Sequence, residues 1–435
     1  MTVNLTQVAK TKGIKYFLIS FVDLFGVLRS KLVPARAIAG MQKNGAGFAG
    51  FAAWLDMTPA HPDLIAIPDP DSLIQLPWKP EVAWLASDLW MDGKQVEASP
   101  RVALKRQLAK LEKSGYRMKT GVECEYFLLT PKGDELSDPL DILTKPCYEQ
   151  TALMRRYDVI SDICDAMLEL GWNPYQNDHE DANGQFEMNW DYDDCLLTAD
   201  RHVFFKYMAK QIAENHGYRA TFMPKPFANL TGNGCHSHVS LWDKTGKKNL
   251  FLNKKDDLGL SKLAYNFLGG IMHNAQSLCA LFTPTVNSFK RINAPRTTSG
   301  ATWAPNTVTY SGDNRTHMIR VPDDGRFELR LMDGSANPYL MQAGVAAAGI
   351  DGIKNKRDPG EPLHIDMYEE GHMVKSARQL PLNLLDALRL FEKSKILREQ
   401  LGSELIDSYT KLKMVEWNDY ASHLSDWERL TTLDC

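Results

Sequence analysis

The sequence predicts an α+β protein, and three observations carry that reading. Residues 14–97 are mostly short strand-like pieces broken by turn residues. Beyond them, helical stretches are interspersed with short strands in an order that does not repeat as strict strand-helix-strand units. Four of the later segments alternate apolar and polar side chains with the two-residue period of a half-buried strand.

In chain order, the prolines from Pro59 to Pro70, then Pro77 and Pro80, punctuate the strand-like region and predict a small β-rich domain. Ser99 offers an N-cap with Pro100 at the first helical position; Val102, Leu104, Leu108 and Leu111 follow on a helical repeat, and Gly115 stands at the stop. This divides the chain into residues 1–98 and 99–435. Further helices are predicted over about 152–170, 200–216, 261–281, 338–353 and 382–401, with Gly171 and Gly217 closing two and Asn337-Pro338 opening another. No internal repeat or low-complexity segment is evident.

A length of 435 residues at roughly 150 per domain suggests two or three domains with a sizeable core, which excludes a disulfide-stapled or metal-nucleated module. With 44% hydrophobic and 24% charged residues the chain is not of disordered type. A formal net charge of -4 gives no general attraction to polyanions, so nucleic acid is not an expected partner. The apolar run nearest the start, Phe17 to Val22, stops at Asp23, far short of a membrane span, and the N-terminus does not read as a signal peptide. Seven widely spaced cysteines without a C-x-x-C pair point to a reducing, cytoplasmic compartment.

The four alternating segments carry the chemistry. Over 121–129, Glu123 and Glu125 share a face opposite Val122, Cys124 and Tyr126. Over 184–190, Gln185, Glu187 and Asn189 oppose Phe186, Met188 and Trp190. Over 235–241, His236, His238 and Ser240 oppose Cys235, Ser237, Val239 and Leu241. Over 326–331, Arg326, Glu328 and Arg330 oppose Phe327, Leu329 and Leu331. Any one polar face is also what a solvated antiparallel strand shows. Together, however, the four hold carboxylates, imidazoles, guanidinium groups and short polar side chains without a single Lys. Carboxylates with one or two imidazoles suit a hard divalent cation such as Mg²⁺ or Mn²⁺, and the lack of a thiolate set argues against structural zinc.

Arg291, Arg315, Arg320, Arg326 and Arg330 fall within forty residues, and guanidinium forks match phosphate or carboxylate oxygens. Metal with clustered arginine is the apparatus of phosphoryl transfer; the alternative is that each arginine serves only an ion pair. There is no Walker-type phosphate loop. Gly45 to Gly50 matches G-x-G-x-x-G but follows a helix-like stretch, so it reads as a turn.

At these residues the sequence resembles the glutamine synthetase family. Eight collinear pieces carry the likeness: Asp23 to Gly26, Glu123 to Glu125, His179-Glu180 with Gly184 to Glu187, Lys225-Pro226 with Gly232 to His238, Asn287 to Arg291, Asn314-Arg315 with Arg320, Arg326 to Arg330, and Ala336 to Leu340. The resemblance implies a β-grasp N-terminal domain and a catalytic domain whose antiparallel sheet forms a funnel flanked by helices. It also implies stacked hexameric rings, a dodecamer, in which one subunit's N-terminal domain completes its neighbour's site. By position, Glu125, Glu180 and Glu187 would hold one metal and Glu123, His236 and Glu328 another. Arg291 and Gly232 would bind the α-groups of glutamate, Arg330 its γ-carboxylate, and Arg315 the transferring phosphoryl group. Arg320, Arg326, His238 and Ser240, with Arg315, would bind ATP, and Asp23 would reach across the interface to the amine. The implied chemistry passes the γ-phosphoryl of ATP to glutamate, and an amine then displaces phosphate to leave an amide.

Departures from the family pattern bear on the amine. Family members that use ammonia typically carry Gly-Tyr-Glu-Ala-Pro in a flap, whereas this chain reads Gly300-Ala-Thr-Trp303-Ala-Pro305. An indole takes no proton but offers an apolar wall and a π-face to an alkylammonium. The pattern resembles the γ-glutamylmethylamide synthetase branch and the type III-like glutamine synthetases of bacteria, which makes methylamine the expected nucleophile. Ammonia is the alternative if Trp303 only packs; a bulkier amine or a non-catalytic ring protein stand further off. Thr231 stands where many relatives have Asn, and residues 370–381 offer no match to the Asn-Leu-Tyr site adenylylated in some bacterial members.

Overall fold

The computed structural model describes residues 3–435. Helix α1 (Leu5–Lys12) begins where the Asn4 side chain accepts from the Gln7 backbone and ends at Gly13. Then come β1 (Tyr16–Val22), β2 (Leu28–Pro34), α2 (Ile38–Asn44), β3 (Ala46–Phe48), β4 (Leu64–Pro68), β5 (Ile74–Gln75), β6 (Val82–Met91) and β7 (Lys94–Gln95). These strands build one sheet in the order β2-β1-β6-β4-β3, with β5 and β7 also on β6. The β1–β6 pair at its centre is parallel, which a long crossover permits. Gly45 follows α2 rather than a strand, and its positive φ of 75° lets the chain turn where a Cβ would lie 2.8 Å from the Ala66 carbonyl oxygen. Only Gly45 of the G-x-G-x-x-G match is thus the turn between α2 and β3; Ala46–Phe48 form β3 itself, against the expectation that the whole match is a turn.

Helix α3 (Pro100–Lys113) stops before Gly115, whose φ is +88°. Ser99 does occupy its N-cap position, but against expectation its side chain makes no capping bond. The second sheet follows, with β8 (Tyr116–Leu129), β9 (Pro174–His179), β10 (Gln185–Trp190), β11 (Asp193–Asp194), β12 (Arg219–Thr221), β13 (Cys235–Asp243), β14 (Tyr310–Ser311), β15 (Ile319–Arg320) and β16 (Phe327–Leu329). Its order is β14-β15-β16-β13-β8-β10-β9, with β11 and β12 also on β8, and every pair but β14–β15 is antiparallel.

Around this sheet lie α4 (Gln150–Met154), α5 (Tyr157–Glu169), α6 (Cys195–Asn215), α7 (Lys262–Phe282), α8 (Ser288–Ile292), α9 (Pro338–Lys354), α10 (Leu384–Lys393), α11 (Lys395–Leu401), α12 (Ser403–Ser422) and α13 (Asp426–Thr432). The helix expected over 152–170 is two helices, interrupted at Arg156, whose guanidinium turns back to the Ser137 side chain and carbonyl. The one expected over 382–401 breaks at Ser394, which caps α11 through Leu397. Helix α6 begins five residues before the expected start, and α12 and α13 lay outside the expectations altogether. The Ser425–Glu428 capping box is the signal that α13 offered.

One face of the second sheet carries Cys124, Tyr126, Phe186, Met188 and Trp190 into the core, where Phe205 of α6 meets Tyr126 and Trp190. On the same face, where Gln342 of α9 bonds Ser237 and Phe267 of α7 meets Phe327, α7 and α9 approach so closely that a Cβ on Gly270 would fall 2.1 Å from the Ala348 carbonyl oxygen. A buried ionic knot joins the first sheet to α3, α6 and α9. Arg101 of α3 donates to Asp69 and Asp88 at 2.8 Å each and to Asp200 of α6 at 3.0 and 2.9 Å, while Tyr339 of α9 donates to Asp200 at 2.6 Å. Removing the guanidinium would strip buried Asp200 of its cation and leave Asp88 with Lys105 alone. Arg101→Ala is therefore expected to destabilise the fold by about 3–5 kcal/mol, read as a lowered urea midpoint of unfolding.

Candidate active site

The face of the second sheet opposite the core is built by register. Glu187 of β10 lies directly across from Glu125 of β8, His236 of β13 across from Glu123, and His238 across from Glu328 of β16. Because side chains alternate with period two, a one-residue slip in any strand would send these groups into the core and apolar ones outward.

The contacts are close. Glu123 accepts from His236 Nδ1 at 3.0 Å and from His238 Nε2 at 2.7 Å. His236 Nδ1 is 3.4 Å from Glu328, and its Nε2, buried without a hydrogen-bond partner, is 3.8 Å from Glu125 Oε1. Glu125 Oε2 accepts from Gln185 Nε2 at 3.1 Å and from the Gly234 backbone at 2.6 Å, which leaves Oε1 free to face the cluster. Glu328 is bracketed by Arg320 at 2.8 Å and Arg330 at 2.5 Å.

Charge is unevenly compensated. The arginines and imidazoles beside Glu328 outweigh its burial and hold its carboxyl down at about 2. Burial and the Glu125 charge push Glu180 up to about 8, and burial with the charges of Glu123, Glu180 and Glu125 raises Glu187 well above the ordinary range. Two opposed glutamates without a cation between them repel, and cross-strand like charges destabilise a sheet. Ligand atoms gather within 4.8 Å in three sets here: Glu123, Glu187 and His236; Glu123, His238 and Glu328; and Asp178, Glu180 and Glu187. All six expected ligands converge on this face, and the structure adds His238 and Asp178 to the donor set.

Two cavities meet at the cluster. One of about 180 Å³ is lined by Glu123, Glu125, Glu180, Glu187, His236 and Trp303, with Arg315, Arg320 and Arg330. Its neighbour of about 380 Å³ is lined by Glu123, His238, Ser240 and Arg326 and shares Tyr175 and Asn189 with the first. Arg326 is held by Asp323 and contacts His238 Nδ1, and Ser240 accepts from Trp242 Nε1 at 2.9 Å. Arg315 is exposed.

Arg291 of α8 is buried and spans to the carbonyls of Leu331 at 3.2 Å and Arg330 at 3.4 Å. Gly232 sits where a Cβ would collide with the Pro224 carbonyl oxygen at 2.2 Å and crowd Arg291.

Asp23 is the exception. It lies in the β1–β2 turn, fully buried, and its carboxylate accepts from Phe25 at 3.1 Å, Val27 at 3.0 Å and Arg29 at 2.9 Å, with Trp54 at 3.4 Å. Its carbonyl accepts from Asn337 at the start of α9 at 2.9 Å. Within the single chain these bonds organise the turn, and the amine that Asp23 is expected to reach belongs to the site of a neighbouring subunit. Sequence reasoning also passed over Lys119, Tyr192 and Trp242. The two rings stack at 6.4 Å with the Lys119 ammonium 4.5 Å from the Trp242 centroid, along the larger cavity. Only the polar alternation of β8 hinted at Lys119.

Comparison with known proteins agrees with this geometry. Residues 97–432 match the model of the glutamine synthetase catalytic domain. The chain is 63% identical over 434 residues, covering 100% of both chains, to a glutamine synthetase of Rhizobium leguminosarum bv. phaseoli. It is 44% identical over 431 residues, 97% of both, to a glutamate–methylamine ligase of Methyloversatilis universalis. A solved structure described as a GmaS/ADP complex superposes with a TM-score of 0.97 at 62% identity, covering 100% of both chains. A catalytic-domain match over most of the length, on a sheet whose register assembles the acidic face, has one reading: the chain belongs to the glutamine synthetase family.

Proposed function

We propose that the protein joins the γ-carboxylate of L-glutamate to methylamine, using ATP, through γ-glutamyl phosphate, with γ-glutamylmethylamide, ADP and phosphate as products. The family's ligases use glutamate, an amine, ATP and divalent metals. The second reading is glutamine synthesis from ammonia, favoured by the name of the rhizobial relative at 63% identity.

The acidic face fits divalent cations, Mg²⁺ or Mn²⁺, at two or more positions. Opposed buried glutamates and an unpartnered His236 Nε2 form a donor set that needs positive charge. Glu125, Glu180 and Glu187 would hold one ion, and Glu123, His236 and Glu328 another. When bound, such ions neutralise phosphate oxygens and polarise the transferring phosphoryl group. The chain's own groups do the rest. His238, Ser240 and Arg326 line the larger cavity for ATP, with Arg320 and Arg315 reaching from the smaller one. Arg315, exposed at the cavity wall, would meet the phosphoryl group in transit. Arg291 and Gly232 would orient the glutamate α-groups, and Arg330 its γ-carboxylate.

The observation that carries the choice of amine is Trp303. It lines the smaller cavity beside Glu180, Glu187 and Arg315, in a left-handed backbone conformation with φ +52°. Such a conformation costs a residue with a Cβ about 1–2 kcal/mol, so the surrounding flap must hold it. An indole there gives a methyl group an apolar wall and the ammonium a π-face. The reading includes assembly into stacked hexameric rings with sites at subunit boundaries, in the cytoplasm. Exposed Phe51 and Trp54, 52% and 46% accessible in the single chain, are surfaces such an assembly would cover. Among the described residues no helix is long and apolar enough to cross a membrane.

Two outcomes are expected. Mg²⁺ should raise the melting temperature of the ligand-free protein by several degrees, and Glu187→Gln should lose most of that shift without lowering the metal-free melting temperature, as followed by calorimetry. Phosphate release with ATP, Mg²⁺ and glutamate, with products confirmed by mass, should give a higher kcat/KM for methylamine than for ammonium. Trp303→Glu should move that ratio about tenfold toward ammonium. A wild-type preference for ammonium would make the protein a glutamine synthetase, and an unmoved ratio in the variant would remove Trp303 as the selector.

A further inference from the structure

Two departures from the family pattern, Thr231 and the flap carrying Trp303, meet on one side chain. Thr231 Oγ1 donates to Asp181 Oδ2 at 2.7 Å, and Ser299 Oγ of the flap donates to the same oxygen. Asp181 is buried, and its own backbone N–H donates to Glu180 Oε2 at 3.0 Å. One residue thus ties the flap to a carboxylate of the acidic face. Nearby, Thr298 fastens the flap a second time, its N–H and hydroxyl both donating to the Asn229 carbonyl at 2.9 and 3.0 Å. Thr297 closes the turn onto the Ala301 carbonyl and lies 3.4 Å from the Thr231 hydroxyl.

These ties sit immediately before Gly300, at φ +96°, and Trp303, at φ +52°. The backbone there adopts a conformation that a free loop would leave, so its retention depends on anchors outside it. The Arg296–Glu369 pair at the flap's start is exposed at both ends and is a weak anchor. Asp181 is buried and shared by two hydroxyl donors, which makes it the strong one.

We propose that Asp181 is a positioning residue that latches the 297–303 segment and so sets the orientation of Trp303 toward the incoming amine. This rests on the reading of Trp303 as the wall of the amine site. Asp181 does not touch the reacting atoms; it acts through Ser299 and Thr231. The Asp181–Glu180 bond uses backbone, so a side-chain change at 181 leaves it available.

The test compares Asp181→Ala, Asp181→Asn and Ser299→Ala in the full chain with Mg²⁺, ATP and glutamate. Both alanine variants should raise the amine KM about tenfold and lower the methylamine-to-ammonium ratio of kcat/KM, with KM for ATP changed less than about twofold. Asp181→Asn, which keeps an acceptor oxygen, should recover part of the loss. Hydrogen exchange should quicken about tenfold at the 297–303 amides in both alanine variants. Unchanged exchange in both, or KM for ATP rising as much as that for the amine, would overturn the latch. Should the wild type prefer ammonium, the methylamine reading falls, and the latch is judged on flap exchange and the ammonium KM.

Discussion

The organisation of this protein depends on a repulsion. Glu125 and Glu187 face each other across two antiparallel strands, with Glu180, Glu123 and Asp178 close by, on a face from which water is largely removed. Like charges so placed oppose folding, and the chain answers in two ways. Toward Glu328 the answer is internal, with Arg320 and Arg330 on its two oxygens. Toward Glu180 and Glu187 no such cation stands among the described residues, and burial lifts both carboxyls. The uncompensated half is where the molecule is built to accept positive charge from outside.

Such a face has to be held in register by elements that gain from the same register. Each ligand on β8, β10, β13 and β16 alternates with a core residue, so the packing of Cys124, Tyr126, Phe186, Met188 and Trp190 against α6 enforces the positions of the carboxylates. Burial of those apolar side chains, worth roughly 1.5–3 kcal/mol each, outweighs the repulsion that the polar face introduces. The Arg101 knot then couples the first sheet to this assembly, and the Asp23 turn docks on the start of α9 through Asn337. Asp23 is as buried as any core residue in the single chain, and its carboxylate accepts the bonds that shape the turn.

The flap obeys a different logic. It lacks a hydrophobic face broad enough to fix itself, and its shape comes from hydroxyl donors converging on Asp181 and on the Asn229 carbonyl. Polar anchoring of a strained segment gives a precise position with little bulk, which suits a wall that must stand beside a small substrate. It also links the wall to the acidic face, since Asp181 follows Glu180 directly.

Much of this was legible in one dimension. Strand periodicity is local, so the alternation over 121–129, 184–190, 235–241 and 326–331 separated core from ligand faces without any knowledge of partners, and all four segments contain strands. Helices ended by Gly171 and Gly217 or opened by Asn337-Pro338 were equally readable, because caps are local too. The breaks at Arg156 and Ser394 were not, since a guanidinium reaching Ser137 and a serine starting a new helix depend on what lies alongside. Nor could periodicity tell which carboxylates meet: that Glu125 faces Glu187, that His238 and Asp178 join the donor set, and that Tyr192 stacks on Trp242 follow from cross-strand register and loop paths. Asp23 shows the limit most sharply. A motif names a residue type at a place in the chain, but which donors hold its carboxylate is decided by the tertiary fold, which brings the Val27 amide and the Arg29 guanidinium within 3 Å or so of it.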